Sequence, residues 1–231
     1  MNENVQKSIF GKITATFWEP SVTFRALQVK SGWLDIVVPL ILIVLVSLAS
    51  TPYVTPLALD EQKARIEKSE RLSDEQKTVA IERIDNQKDS IRLYIMGPVF
   101  LVLRTVVVAA VLIFIGNFLL GGEVKYKTSL AITAYASLVD IVASAVKVPL
   151  ILAQQTIQVY TGPAIFLQDD STFLFRLFTN LDIFVFWKVV IISIGIGIVA
   201  KKKTNKAFWA VFACWLVYCL VVAGLSGLVK I

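Results

Sequence analysis

The stretch IRLYIMGPVFLVLRTVVVAAVLIFIGNFLL, residues 91–120, decides the fold. It is an almost unbroken apolar run with one arginine, Arg104, inside it. Four other stretches, 33–54, 129–151, 183–200 and 207–229, share its character, and its own span is set at 94–120. A bilayer core takes about 20 mostly apolar residues per helix. The pattern predicts an all-α polytopic membrane protein built as a bundle of five transmembrane helices.

The composition agrees. Of 231 residues 56% are hydrophobic, and the mean hydropathy is +0.72. Five spans at about 21 residues each account for about 105 residues. The remainder is too short for a second large soluble domain, so 1–231 reads as a single membrane domain. The first ~30 residues have no uninterrupted apolar core with a small-residue cleavage site, and the first span is expected to serve as the insertion signal. Histidine is absent, which removes Ser–His triads, HExxH zinc sites and His-ligated haem. Neither a phosphate loop nor a GxSxG or GxGD motif is found. No catalytic residue, metal ligand or cofactor is expected, and the reading is of a non-enzymatic protein. Cys214 and Cys219, five apart on one helix, fall on different faces and are expected to stay unbridged. The net charge of +6 fits basic loops on one side of a membrane rather than nucleic-acid binding.

Outside the spans the sequence places two helical appendages. In VQKSIFGKITATFW, residues 5–18, Val5, Ile9, Ile13 and Phe17 recur at steps of four, with Phe10 and Trp18 alongside and Lys7, Ser8 and Lys12 elsewhere on the wheel. This predicts an amphipathic helix in the membrane interface, broken at Pro20 and followed by a short helix over 21–29. Together, 1–30 form the interfacial N-terminal segment. Residues 60–92 carry nine acidic and eight basic residues and predict a charged extramembrane helical hairpin between spans one and two. Its second arm, 74–92, opens with the Ser73/Gln76 capping-box pattern, bears a thin stripe of Ile81, Ile84 and Ile91, and is expected to run into span two. The run STFLFRLFTNL, 171–181, reads as lying against the outer interface.

Orientation follows the lysines and arginines. Lys7, Lys12, Arg25 and Lys30, then Lys125 and Lys127, then Lys201, Lys202, Lys203 and Lys206 fall on one side if the N-terminus is cytoplasmic. The loop 154–181 carries Arg176 alone, and the tail carries Lys230. The rule favours a cytoplasmic N-terminus and an outside C-terminus, with the hairpin's basic residues dissenting.

Charges within spans are costly and pair or line a cavity. Here they are Arg104, Asp140 and Lys188, with Lys147 and Asp182 nearer an edge. At ~1.5 Å per residue, Asp140 and Lys188 both lie ~18 Å from the inner ends of their spans and Arg104 ~24 Å. Three spans therefore bring a charge each to the outer half of the bilayer. The cluster is either a buried salt bridge setting helix register or a pocket open to the outside. Its one net positive charge would favour an anionic small molecule. Asn117 and Tyr135 are further polar candidates on the inner side. Ser193 and Gly197, with Gly195 between, and Ala223 with Gly227 form small-xxx-small pairs that suit close helix packing, in the bundle or in a dimer.

Several segments carry a family resemblance: EPSVTFRAL (19–27), GGEVKYKTSLAITAYAS (121–137), LDIFVFWKVVIISIGIGIVAKK (181–202), the Lys206–Ala207 opening of the last span, and the charged LSDEQK (72–77). Together they resemble the Yip1-domain family, in particular its bacterial branch, over most of the chain. The resemblance implies five helices, a cytoplasmic N-terminus, a bacterial inner-membrane location and no catalytic residue. Eukaryotic members act in ER–Golgi trafficking and bind prenylated Rab-type GTPases through a long cytosolic N-terminal region, and that role is not expected here. The expected function is membrane-organising, through membrane lipids, other membrane proteins or a second copy. The alternative is a small transporter or channel using Arg104, Asp140 and Lys188.

Overall fold

The computed structural model describes residues 8–87, 90–167, 169 and 172–228. Among them 80% are helical and none is in a strand. Ten α-helices follow one another: α1 Ile9–Trp18, α2 Pro20–Val29, α3 Leu34–Glu67, α4 Asp74–Asp85, α5 Arg92–Ile113, α6 Tyr126–Ala136, α7 Val139–Gln154, α8 Phe173–Phe178, α9 Ile183–Val199 and α10 Thr204–Leu228. Among the described residues four helical stretches are long and apolar enough to cross a membrane: Leu34–Glu67, Arg92–Leu119, Tyr126–Gln154 and Thr204–Ser226. The apolar α9 is shorter, at 17 residues.

The first span is longer than its apolar run. α3 continues for 34 residues through Pro39, Pro52 and Pro56. Before Pro52, the Ser50 hydroxyl donates to the Val46 carbonyl at 2.6 Å and the Thr51 hydroxyl to that of Ser47 at 2.9 Å. Both are back-bonds to the preceding turn, the kind that bends a helix locally. The helix leaves the apolar zone as a polar arm, and α4 folds back on it with Ile84 and Leu59 buried and Lys63 paired to Asp85. At the head of α4 the Gln76 amide donates to Ser73 Oγ at 3.3 Å, and the Ser73 amide to Gln76 Oε1 at 3.0 Å, closing the expected capping box. The second arm departs from expectation. It stops at Asp85, with turns at Asn86 and Gln87, instead of running into span two.

Two spans are irregular. α5 passes into a π-helical turn, Phe114–Leu119. There Asn117 accepts from the Val124 amide at 2.6 Å and donates to its carbonyl at 3.1 Å, closing the loop that follows. Gly121 in that loop has φ +63°, a conformation that only glycine adopts without strain. The third span is two helices, α6 and α7, interrupted at Ser137 and Leu138, with no glycine or proline at the break. α6 is the centre of the molecule. Ala131, Ile132, Ala134, Tyr135 and Ala136 are fully buried, and Phe24, Leu27, Leu112, Ile191 and Ile196 pack with them. Ile41, Leu45, Phe100, Leu103, Val107, Val217 and Val221 are exposed, an apolar outer surface suited to lipid.

The polar arm is tied to the far end of α7. Glu61 accepts from the Thr156 hydroxyl at 2.6 Å, the Ile157 amide at 2.7 Å and the Gln158 side-chain amide at 3.3 Å. Partial burial pushes the Glu61 carboxyl up. These hydrogen bonds and the nearby Arg65 outweigh that and hold it below its ordinary value. A carboxyl depressed on folding stabilises the fold above its unfolded pKa, near 4.5, and loses that contribution as pH falls through the lower folded value. Detergent-solubilised wild type should therefore lose Tm on acidification below that pH more steeply than Glu61→Gln. Parallel Tm profiles would count against the tie.

Candidate functional site

Three helices bring together the charges that the sequence reading places within spans. Arg104 lies on α5, Asp140 in the first turn of α7 and Lys188 on α9. Asp140 Oδ2 accepts from Arg104 Nη2 and Oδ1 from Lys188 Nζ, each at 2.7 Å. The break before α7 sets this arrangement. It places Asp140 at a new helix N-terminus, where the backbone dipole favours a carboxylate. The Lys188 side chain is 12% exposed, Asp140 25% and Arg104 54%. Lys188 is thus the inner member, and Arg104 faces the periphery with most of its guanidinium donors uncommitted to Asp140.

Lys147 and Asp182 form a separate pair at 2.5 Å. The Thr161 hydroxyl donates to the same Asp182 oxygen at 2.5 Å, while the other oxygen caps α9 by accepting from the Phe184 and Val185 amides at 2.8 and 3.3 Å. A cavity of about 150 Å³ adjoins the pair, lined in part by Tyr160, Thr161, Gly162 and Thr179. Its wall is tight: a Cβ on Gly162 would stand 1.8 Å from the Leu181 carbonyl oxygen. The five candidate charges therefore make two sites, a trio and a pair.

A third ion pair escaped the sequence reading. Lys12 of α1 donates to Asp35 Oδ1 of α3. The Tyr135 hydroxyl of α6 donates to the same oxygen at 3.1 Å, and the Gly32 amide to Oδ2 at 2.8 Å. Lys12 is 8% exposed, Asp35 5% and Tyr135 0%. The Lys12 carbonyl in turn accepts from Thr16 Oγ1 at 2.8 Å and Thr23 Oγ1 at 2.9 Å, joining α1 to α2. The expected helical wheel is therefore corrected. Lys12, Ala15 and Thr16 form the buried face of α1, Ile13 and Phe17 flank it, and Phe10 and Trp18 point outward. Val5 and Lys7 lie outside the described residues. The one available signal was that Asp35 is the sole acidic residue of the first span as predicted over 33–54.

The small residues of α9 are occupied within the chain. A Cβ on Gly195 would meet Ile132 Cγ2 at 2.8 Å and the Phe24 ring at 3.2 Å, and one on Gly197 would meet Ala207 at 3.2 Å. Ser193 is buried and donates to the Val189 carbonyl at 2.6 Å. Ala223 is buried, and its carbonyl accepts from Arg176 Nε at 3.3 Å. The surroundings of Gly227 lie outside what the structure describes. Cys214 and Cys219 are free. Among the described residues no group of three or more His, Cys, Asp or Glu is placed to hold a metal ion.

Chemically, these sites hold charges on one another, and they define a polytopic α-helical membrane protein whose helices are stapled by ion pairs. The chain belongs to the Yip1 domain family, whose family model matches residues 15–226. Yip1 family membrane proteins are not known as enzymes. No curated protein and no solved structure matches the chain.

Proposed function

We propose that this chain is a non-enzymatic, five-span protein of the bacterial Yip1 type that organises the inner membrane through contacts with lipids and other membrane proteins. The observation that carries the reading is the mutual commitment of its internal charges. Asp140 bridges Arg104 and Lys188, Asp182 takes Lys147, and Asp35 takes Lys12. Among the described residues no buried side-chain nitrogen or oxygen lacks a hydrogen-bond partner. Groups so committed hold helices in register, whereas a transport path needs groups that a solute can take over. In this reading α9 is the fifth span. Its length of ~25 Å approaches the ~30 Å core, near the lower limit for a crossing helix. The exposed Lys201, Lys202, Lys203 and Lys206 then mark the cytoplasmic side, with the N-terminus inside and the C-terminus outside.

A second reading rests on Arg104. Its exposure and the net positive charge of the trio suit a small transporter or channel for an anion. Vesicles containing the purified chain separate the two. The organising role predicts chloride and phosphate fluxes equal to those of protein-free vesicles, together with lipid retained on the protein in native mass spectra. A flux abolished by Arg104→Gln would establish the transporter reading instead.

Topology has its own check. In a chain carrying Cys214→Ala and Cys219→Ala, Asp74→Cys should react with an impermeant thiol reagent in intact cells and Thr204→Cys should not. The reverse pattern would invert the orientation.

A further inference from the structure

We propose that α1 and α2 form a re-entrant helical hairpin, immersed in the acyl chains of the leaflet on the Lys201–Lys203 side and anchored by the Lys12–Asp35 pair. The proposal rests on the reading of α9 as a membrane span.

The first observation is depth. α2 runs alongside α9, so positions on α9 measure how far the hairpin reaches. At one end Gln28 Nε2 donates to the Ile198 carbonyl at 2.7 Å. Further along, Phe24 packs on Gly195. At the turn of the hairpin, the Phe17 ring lies 6.0 Å from that of Trp187. From Ile198 to Trp187 is a rise of ~16 Å along a helix, about half of a ~30 Å hydrocarbon core. The hairpin thus climbs through one leaflet and turns back.

The second observation is polarity. A helix lying on headgroups turns its charges to water and its apolar side down. In α1 the order is reversed: Lys12 and Thr16 are buried against the protein, while Phe10 is 75% exposed and Trp18 87%. Exposed aromatics over an inward, neutralised cation are the arrangement that hydrocarbon favours.

The third is the backbone of the turn, which must be satisfied internally at membrane depth. The Glu19 amide donates to the Ala15 carbonyl at 2.7 Å, Pro20 has no N–H to satisfy, and the Val22 amide donates to the Glu19 carbonyl at 2.9 Å. At the base of the hairpin Lys30 is exposed, as are Lys201, Lys202, Lys203 and Lys206, and Arg25, midway along α2, is exposed with a side chain long enough to reach toward that rim. That rim complements anionic headgroups. Two exposed charges oppose insertion, Arg25 halfway along α2 and the Glu19 carboxylate at the tip, and of these Glu19 is the one too short to reach the headgroups. Its removal should therefore strengthen insertion.

A hairpin confined to one leaflet adds area to that leaflet alone, which gives the membrane-organising role a physical means. The test uses nitroxide labels on the full chain in mixed phosphatidylcholine–phosphatidylglycerol vesicles, with Cys214→Ala and Cys219→Ala as background. A label at Trp18→Cys should collide several-fold more with oxygen than with a water-soluble nickel chelate, and should lie deeper than one at Phe10→Cys. Adding Glu19→Gln should raise the ratio, and Asp35→Asn should lower it. If Asp35→Asn fails to fold, Lys12→Met with Asp35→Leu, which removes both charges, should keep the label deep. Phe186→Cys on α9 and Asp74→Cys on α4 supply the lipid and water references. Nickel access at position 18 equal to that at position 74, with position 186 lipid-like, would overturn the hairpin and leave the span intact. A water-like position 186 would overturn the span reading itself. Exclusion of both probes at position 18 would mean that protein, such as a second copy, covers this face, and would also overturn the proposal.

Discussion

An Asp35→Asn variant is expected to lose ~3–5 kcal/mol of folding stability, the cost of removing one partner from a buried ion pair. Lys12 would remain enclosed, with its charge uncompensated beside Tyr135. The loss should be local as well as global, because the same carboxylate orders the Gly32 amide at the entrance to α3 and joins α1 to α6. Equilibrium unfolding in mixed micelles gives the stability, and limited proteolysis near residue 8 gives the release of α1. Removing both charges, by Lys12→Met with Asp35→Leu, should cost much less, since no lone charge is left buried. A single Asp35→Asn variant as stable as wild type, with α1 equally protected, would mean that the pair does not hold the hairpin.

The second large effect falls on Asp140. Asp140→Asn leaves Arg104 and Lys188 facing one another without the carboxylate that bridges them. The expected loss is ~2–4 kcal/mol, below the fully buried figure because Asp140 and Arg104 keep solvent- or lipid-accessible surface. Asp169→Asn, at an exposed position, should stay within ~1 kcal/mol of wild type. Adding Lys188→Met to Asp140→Asn should cost less than the sum of the two single changes, as expected for residues in one network. Strict additivity would separate Lys188 from Asp140 and dissolve the trio.

Within this chain, local information reached far. The apolar runs announce membrane helices, because a bilayer core demands about 20 apolar residues whatever the neighbours do. The Ser73–Gln76 cap was legible because all its atoms lie within one turn. Even the meeting of Arg104, Asp140 and Lys188 could be anticipated, since helices advance by a constant rise, and counting residues from a common face places charges at comparable depths.

What counting along a helix cannot supply is rotation and choice of neighbour. The wheel of α1 put Lys12 on the wet side because its stripe of Ile9, Ile13 and Phe17 is apolar. The fold turns Lys12 inward because Asp35, 23 positions away, and Tyr135, 100 positions from Asp35, enclose it. The break at Ser137 and Leu138 carries no glycine or proline to announce it in the sequence, and both residues are buried in the fold. The second hairpin arm ends at Asp85, although its charged, helix-favouring composition continues toward Arg92. Composition and periodicity decided that the chain is a membrane-embedded helical protein. Which charge faces which partner was decided only when the helices packed, because the pairing energy of a buried ion depends on a carboxylate that the sequence places elsewhere in the chain.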